Sequence, residues 1–108
     1  MHKDGTLKDF ILDQLIDLPH IVASPMFSSW GLYSDNIFFG IINNGRLYFK
    51  TNEITSQKYK DQGMKAFQPS AKQKLKNYFE VPGDIMEDSD ELLKWAQEAI
   101  SIWKGAQK

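Results

Sequence analysis

The chain has 108 residues, no cysteine, 42% apolar and 25% charged residues and a formal net charge of −1, which is the profile of one ordinary globular domain rather than a disordered or fibrous chain. Without cysteine there is no disulfide framework, no thiolate metal site and no Cys nucleophile, and the usage agrees with a reducing, cytoplasmic setting. No apolar run reaches the roughly 18 residues of a membrane span, and the start, Met1-His2-Lys3-Asp4-Gly5, does not read as a signal peptide.

Near-neutrality hides a pattern. Residues 1–45 carry −3, residues 46–76 carry +6 and residues 77–108 carry −4. Between Leu18 and Gly45 the only formal charge is Asp35, so that stretch is the expected interior of the fold.

The first helix is expected over about Thr6 to Asp17, where Leu7, Phe10, Ile11, Leu15 and Leu18 recur at helical spacing, with Thr6 as N-cap and Pro19 as stop. Ser28 to Tyr33 reads as a strand and turns through Ser34-Asp35-Asn36 into Ile37 to Asn43. Asn44-Gly45 then signals a type I′ hairpin, because both residues tolerate φ > 0. That turn pairs Asn43 with Arg46 and sets Ile42 opposite Leu47, Ile41 opposite Tyr48, Gly40 opposite Phe49 and Phe39 opposite Lys50. Strict alternation would put Phe38, Gly40, Ile42, Leu47 and Phe49 on one face, and Ile37, Phe39, Ile41, Tyr48, Arg46 and Lys50 on the other.

Asn52 or Thr55 can cap a short helix that ends at Gln62, with Gly63 just past it. Residues 65 to 69 read as an edge strand ended by Pro69, and Leu75 to Val81 as a strand closed by Pro82. Asp88 or Ser89 caps the last helix, whose stripe is Leu92, Ala96, Ala99 and Trp103. The order α-β-β-β-α-β-β-α predicts an α+β two-layer sandwich: an antiparallel sheet of about five strands with helices on one side, in a single domain spanning 1–108.

Catalytic patterns are scarce. His2 and His20 have no metal-ligand spacing, no phosphate-cradling glycine loop appears, and Glu87, Asp88, Asp90 and Glu91 have the ordinary place of acids at a helix N-terminus. No catalytic, metal or cofactor residue is expected. Two features invite a binding role. Lys72, Lys74 and Lys76 alternate, as do Arg46 and Lys50, so on neighbouring strands they would form a basic patch interleaved with Tyr48 and Tyr78 that could hold phosphates and stack a base; edge protection and strand packing explain the same residues without a ligand. Met26 to Tyr33 holds three aromatics and a methionine around Gly31, which is either core or an exposed contact surface anchored by Trp30 and Tyr33.

The blocks Met26-Phe27-Ser28-Ser29-Trp30-Gly31-Leu32-Tyr33, Ile37-Phe38-Phe39-Gly40, Arg46-Leu47-Tyr48-Phe49-Lys50, Tyr78-Phe79-Glu80-Val81-Pro82 and Leu92-Leu93-Lys94-Trp95-Ala96, in this order, resemble the N-terminal domain of the TfoX/Sxy competence regulators of bacteria, from Phe10 to Ile100. The resemblance implies an α+β domain without catalytic activity, acting in transcriptional regulation of DNA uptake, where the two-domain regulators work alongside the cyclic AMP receptor protein. The expectation is a stand-alone first domain. Ser28 and Ser29 depart from the family pattern by replacing glycines, a change that strains any backbone needing φ > 0. The expected partner is a protein, for instance a transcription regulator, or a second copy of the chain through a sheet edge or the aromatic segment. The rival expectations are nucleic acid on the basic patch and a small ligand beside Trp30, Tyr33 and Tyr78.

Overall fold

A computed structural model describes residues 3–26, 29–70 and 72–106. Its elements in chain order are α1 (Lys3–Gln14), β1 (Val22–Met26), β2 (Ser29–Ser34), β3 (Ile37–Asn43), β4 (Arg46–Lys50), α2 (Ser56–Asp61), β5 (Ala66–Ser70), β6 (Gln73–Glu80), α3 (Gly83–Met86) and α4 (Ser89–Ala106). All strand pairs are antiparallel in one open sheet of order β1-β2-β3-β4-β6-β5. The α+β architecture holds, with six strands where five were expected and a short extra helix before α4. Strand β1 escapes a sequence reading because Pro25 lies inside it; a residue with no N–H is tolerated there because β1 is an edge. The opposite edge, β5, carries Pro69. Both edges are thereby poor templates for a further strand, which weakens the expectation of a dimer joined edge to edge.

The hairpin forms with the expected register from the turn as far as Gly40: Asn43 pairs with Arg46, Ile42 with Leu47, Ile41 with Tyr48 and Gly40 with Phe49, while the expected pairing of Phe39 with Lys50 does not form because a β-bulge falls at Phe39. Asn44 (φ 53°) and Gly45 (φ 78°) take the left-handed conformation that the turn demands. Helix α1 locks it from outside, because the Asp4 carboxylate accepts hydrogen bonds from the Asn44 and Gly45 amides at 3.0 and 2.6 Å. That contact explains why α1 begins by Lys3 and not at Thr6. The preceding turn is equally tight, with Asp35 and Asn36 both at positive φ and Ser34 opposite Ile37.

The faces of β3 depart from strict alternation. Leu32 pairs with Gly40 but Tyr33 pairs with Phe38, so Phe39 is an extra residue, a β-bulge. From that point toward the strand's start the two faces exchange. Phe39 and Ile37 turn to the helices with Ile42, Leu47 and Phe49, while Phe38 turns away to join Ile41, Tyr48 and Tyr78. Gly40 fits at the switch because a Cβ there would lie 3.0 Å from the Tyr48 carbonyl and 3.2 Å from Leu32 and Phe49.

Helices α1, α2 and α4 cover one face. Ile11, Leu15 and Leu18, Tyr59, and Leu92, Trp95, Ala96, Ala99 and Ile100 bury against Leu32, Phe39, Ile42, Leu47, Phe49 and Phe79. The α4 stripe therefore runs through Trp95 and Ile100, and Trp103, expected in it, is 38% exposed. Asp88 caps α4 through the Glu91 amide, Asn52 accepts the Ile54 and Thr55 amides ahead of α2, and Gly63 (φ 80°) ends α2. Among the described residues, no helix is long and apolar enough to cross a membrane.

Candidate functional site

The nine residues singled out by sequence do not form one surface. Trp30 lies on the helix side, half-buried, packed against the main core with the Lys8 ammonium 4.5 Å from its ring. Tyr33, three residues along β2, lies on the opposite face. Strand alternation thus separates two aromatics that the sequence had grouped as one contact surface.

On the helix-free face the rings form a continuous row. Tyr33 and Phe38 have centroids 5.2 Å apart, Phe38 and Tyr78 5.8 Å, and the Lys50 ammonium stands 5.4 Å from the Tyr78 ring centre. All four are half-buried. The Met26 sulfur closes the row's end over Gly31, where a Cβ would lie 2.9 Å from it and 3.2 Å from the Phe38 and Tyr33 rings, so a side chain there would displace the stack. Next to the row, Tyr48 and Phe67 pack at 4.5 Å over Ile41 in a second small core built from strand residues alone among those described. Burial raises the Tyr78 hydroxyl to about 12, with the neighbouring Tyr33 adding to it, and raises Tyr48 as well. Tyr48 is too covered to stack a ligand; Tyr33 and Tyr78 each keep part of a ring in solvent.

The basic residues gather on both sides of the β5–β6 hairpin. A cleft of about 1210 Å³ has Arg46, Lys60, Lys65, Lys74 and Lys76 in its lining against Glu53 and Glu80. Arg46 donates to Glu80 at 2.9 Å, and this hydrogen bond is the main reason its pKa is raised. Lys72 stands in the turn before β6 and Lys50 over Tyr78, so neither belongs to the cleft. Lys60 and Lys65 were missed by the sequence reading. Their proximity to Lys74 and Lys76 comes from β5 pairing with β6, a long-range contact with no local signature.

A second cleft of about 310 Å³ lies between Leu18, Ile37, Ile100 and the exposed end of α4 near Lys104. Neither cleft is lined by Trp30, Tyr33 or Tyr78, so the small-ligand expectation finds no cavity in either where it was placed. His20 is exposed and its Nδ1 pairs with the Asp35 carboxylate beside the Pro19 turn. Among the described residues no cluster of three His, Asp or Glu could hold a metal ion. Asp88 caps α4 by accepting from the Glu91 amide, and the Glu91 carboxylate pairs with Lys94, which accounts for two members of the acidic run. Ser29 sits in β2 with its hydroxyl accepting from Asn43 at 2.6 Å and without a left-handed backbone, so serine is unstrained there; Ser28 lies outside the described residues.

Among known families, the model described as the TfoX N-terminal domain matches residues 13–102. No curated protein matches the chain.

Proposed function

The chain belongs to the TfoX N-terminal domain family, and from that premise we propose that it is a non-enzymatic regulatory module that acts through protein contacts in the control of competence-type genes. The observation that carries the reading is the family match itself, which extends over the whole sheet from β1 to β6 and most of α4. The geometry adds a surface suited to it. Tyr33, Phe38 and Tyr78 present half-buried rings, held in fixed orientation by each other, on a face that no described helix covers. Rigid aromatics of this kind lose little entropy on binding and are the residue types that anchor protein interfaces.

The test compares transcripts of DNA-uptake genes in cells with the intact chain, cells lacking it, and cells carrying the Tyr33→Ser/Tyr78→Ser variant at equal protein level. Loss of those transcripts in both altered strains is the expected result. Unchanged transcripts in the deletion strain would overturn the regulatory reading, and a fully active variant would remove this face as the contact.

A further inference from the structure

We propose that the basic cleft beside the β5–β6 hairpin binds the phosphate backbone of a single-stranded nucleic acid, a role beyond protein contact and independent of it. The cleft concentrates charge from three separate elements: Lys60 from α2, Lys65 from the strand entry of β5, and Lys74 and Lys76 from β6. Three lysines outside the cleft are paired with acids. Lys8 meets Asp9, Lys58 meets Glu98 and Lys94 meets Glu91. Among the described residues Lys65, Lys74 and Lys76 have no such carboxylate, and Lys60 rests against the Phe79 ring, which leaves its charge uncompensated. Of the two acids in the lining, Glu80 is already held by Arg46. A cleft with this imbalance focuses a positive field on anything that enters it.

The occupant follows from shape and chemistry. At about 1210 Å³ the cleft exceeds the roughly 300–1,000 Å³ usual for small-molecule sites, and it is open to solvent, so a chain and not a compact metabolite fits it. A duplex is a stiff rod whose phosphates lie on its outside, whereas these cations stand on the walls of a concavity that a single flexible strand can enter. Gln68 and Asn77, both exposed in the lining, offer amide donors and acceptors that base edges can use.

Fluorescence anisotropy with a labelled oligothymidine of about twelve nucleotides tests this, with the whole chain titrated at several salt concentrations. Binding is expected, with log affinity falling against log salt by about 0.7 per phosphate contact. Each of Lys65→Gln, Lys74→Gln and Lys76→Gln should remove up to one such contact, and the triple variant should weaken binding at least about tenfold at low salt. Lys94→Gln, remote from the cleft, should leave it unchanged. Four outcomes overturn the proposal: no binding at low salt; equal binding by the triple variant; tighter binding to a duplex than to the single strand; or displacement as effective by polyglutamate or tripolyphosphate of equal charge, which would make the site one for acidic peptides or small phosphates. Because the cleft variants spare Tyr33 and Tyr78, loss of oligonucleotide binding with normal transcripts separates this site from the proposed protein contact.

Discussion

The two faces of the sheet are built from similar residues and stabilised differently. On the helix-covered face Leu32, Phe39, Ile42, Leu47 and Phe49 are fully buried under three helices, and the side chains there answer to packing alone. On the bare face Ile41, Tyr48 and Phe67 are buried only by each other and by the half-buried Phe38, Leu75 and Tyr78, with cations at the margin. The bulge at Phe39 is what permits both. It hands one phenylalanine of the Phe38-Phe39 pair to each face, so the same residue type anchors a core on one side and a half-exposed row on the other.

The largest test of that contrast is a matched pair of truncations. Phe49→Ala, which opens a cavity beneath the helices and unmakes its 5.7 Å contact with Phe39, should cost about 3–5 kcal/mol in urea unfolding. Phe38→Ala removes a ring already part-wet and should cost roughly 1–2 kcal/mol. Equal losses would show that the bare face is as much a core as the covered one. The bulge itself is probed by Gly40→Ala, whose Cβ would press the Tyr48 carbonyl at 3.0 Å; a loss of about 1–3 kcal/mol by the same measurement is expected, and a neutral result would mean that the two faces can shift without strain.

How far the sequence discloses this contrast depends on whether the cause is local. Asn44-Gly45 carries its own turn geometry, so the β3–β4 register was legible from the turn as far as Gly40 and Phe49, as were Gly63 and Asp88 at helix ends. Strand β1 was not, since Pro25 reads as a breaker until the strand is known to be an edge. Nor was the bulge, because Ile37-Phe38-Phe39-Gly40 is apolar at every position and alternation has nothing to lose contrast against. In the cleft, the period of Lys74 and Lys76 was readable, but their facing partners Lys60 and Lys65 depend on how α2 and β5 return to the sheet. Trp30 and Tyr33 were grouped by proximity in the chain, and the pleat separates them.

The pH dependence discriminates more finely. Tyrosine ionises near pH 10 in an unfolded chain, while Tyr78 in the folded one is raised to about 12 by burial, and Tyr59, wholly buried with its hydroxyl unpartnered among the described residues, is raised further. A raised folded pKa means that the native state favours the neutral form. Its stabilising effect is therefore complete below about pH 10 and is lost as pH rises toward 12 and beyond. Near-ultraviolet absorbance should show Tyr78 ionising late, near pH 12, and Tyr59 only with unfolding. Tyr78→Phe should flatten part of the alkaline loss without changing stability at neutral pH. A variant that loses stability at pH 7 would show that the Tyr78 hydroxyl serves the fold directly.

The smallest expected effect lies where the bare face meets the cleft. Arg46 and Glu80 stand diagonally across β4 and β6, since Glu80 is the pairing partner of Tyr48, and their hydrogen bond spans the strands at 2.9 Å. Arg46 is more than half exposed, so water screens the pair and a double-mutant cycle with Arg46→Gln and Glu80→Gln should yield a coupling of only about 0.2–1 kcal/mol. The consequence for the cleft is larger than for the fold. Glu80→Gln frees the Arg46 guanidinium and removes one of the two acids in the lining, so it should strengthen oligonucleotide binding and steepen its salt dependence, while Arg46→Gln leaves the Glu80 carboxylate unmatched in the lining and should weaken binding. A loss from Arg46→Gln larger than that from the triple lysine variant would place Arg46, and not the unpaired lysines, at the centre of the anion site.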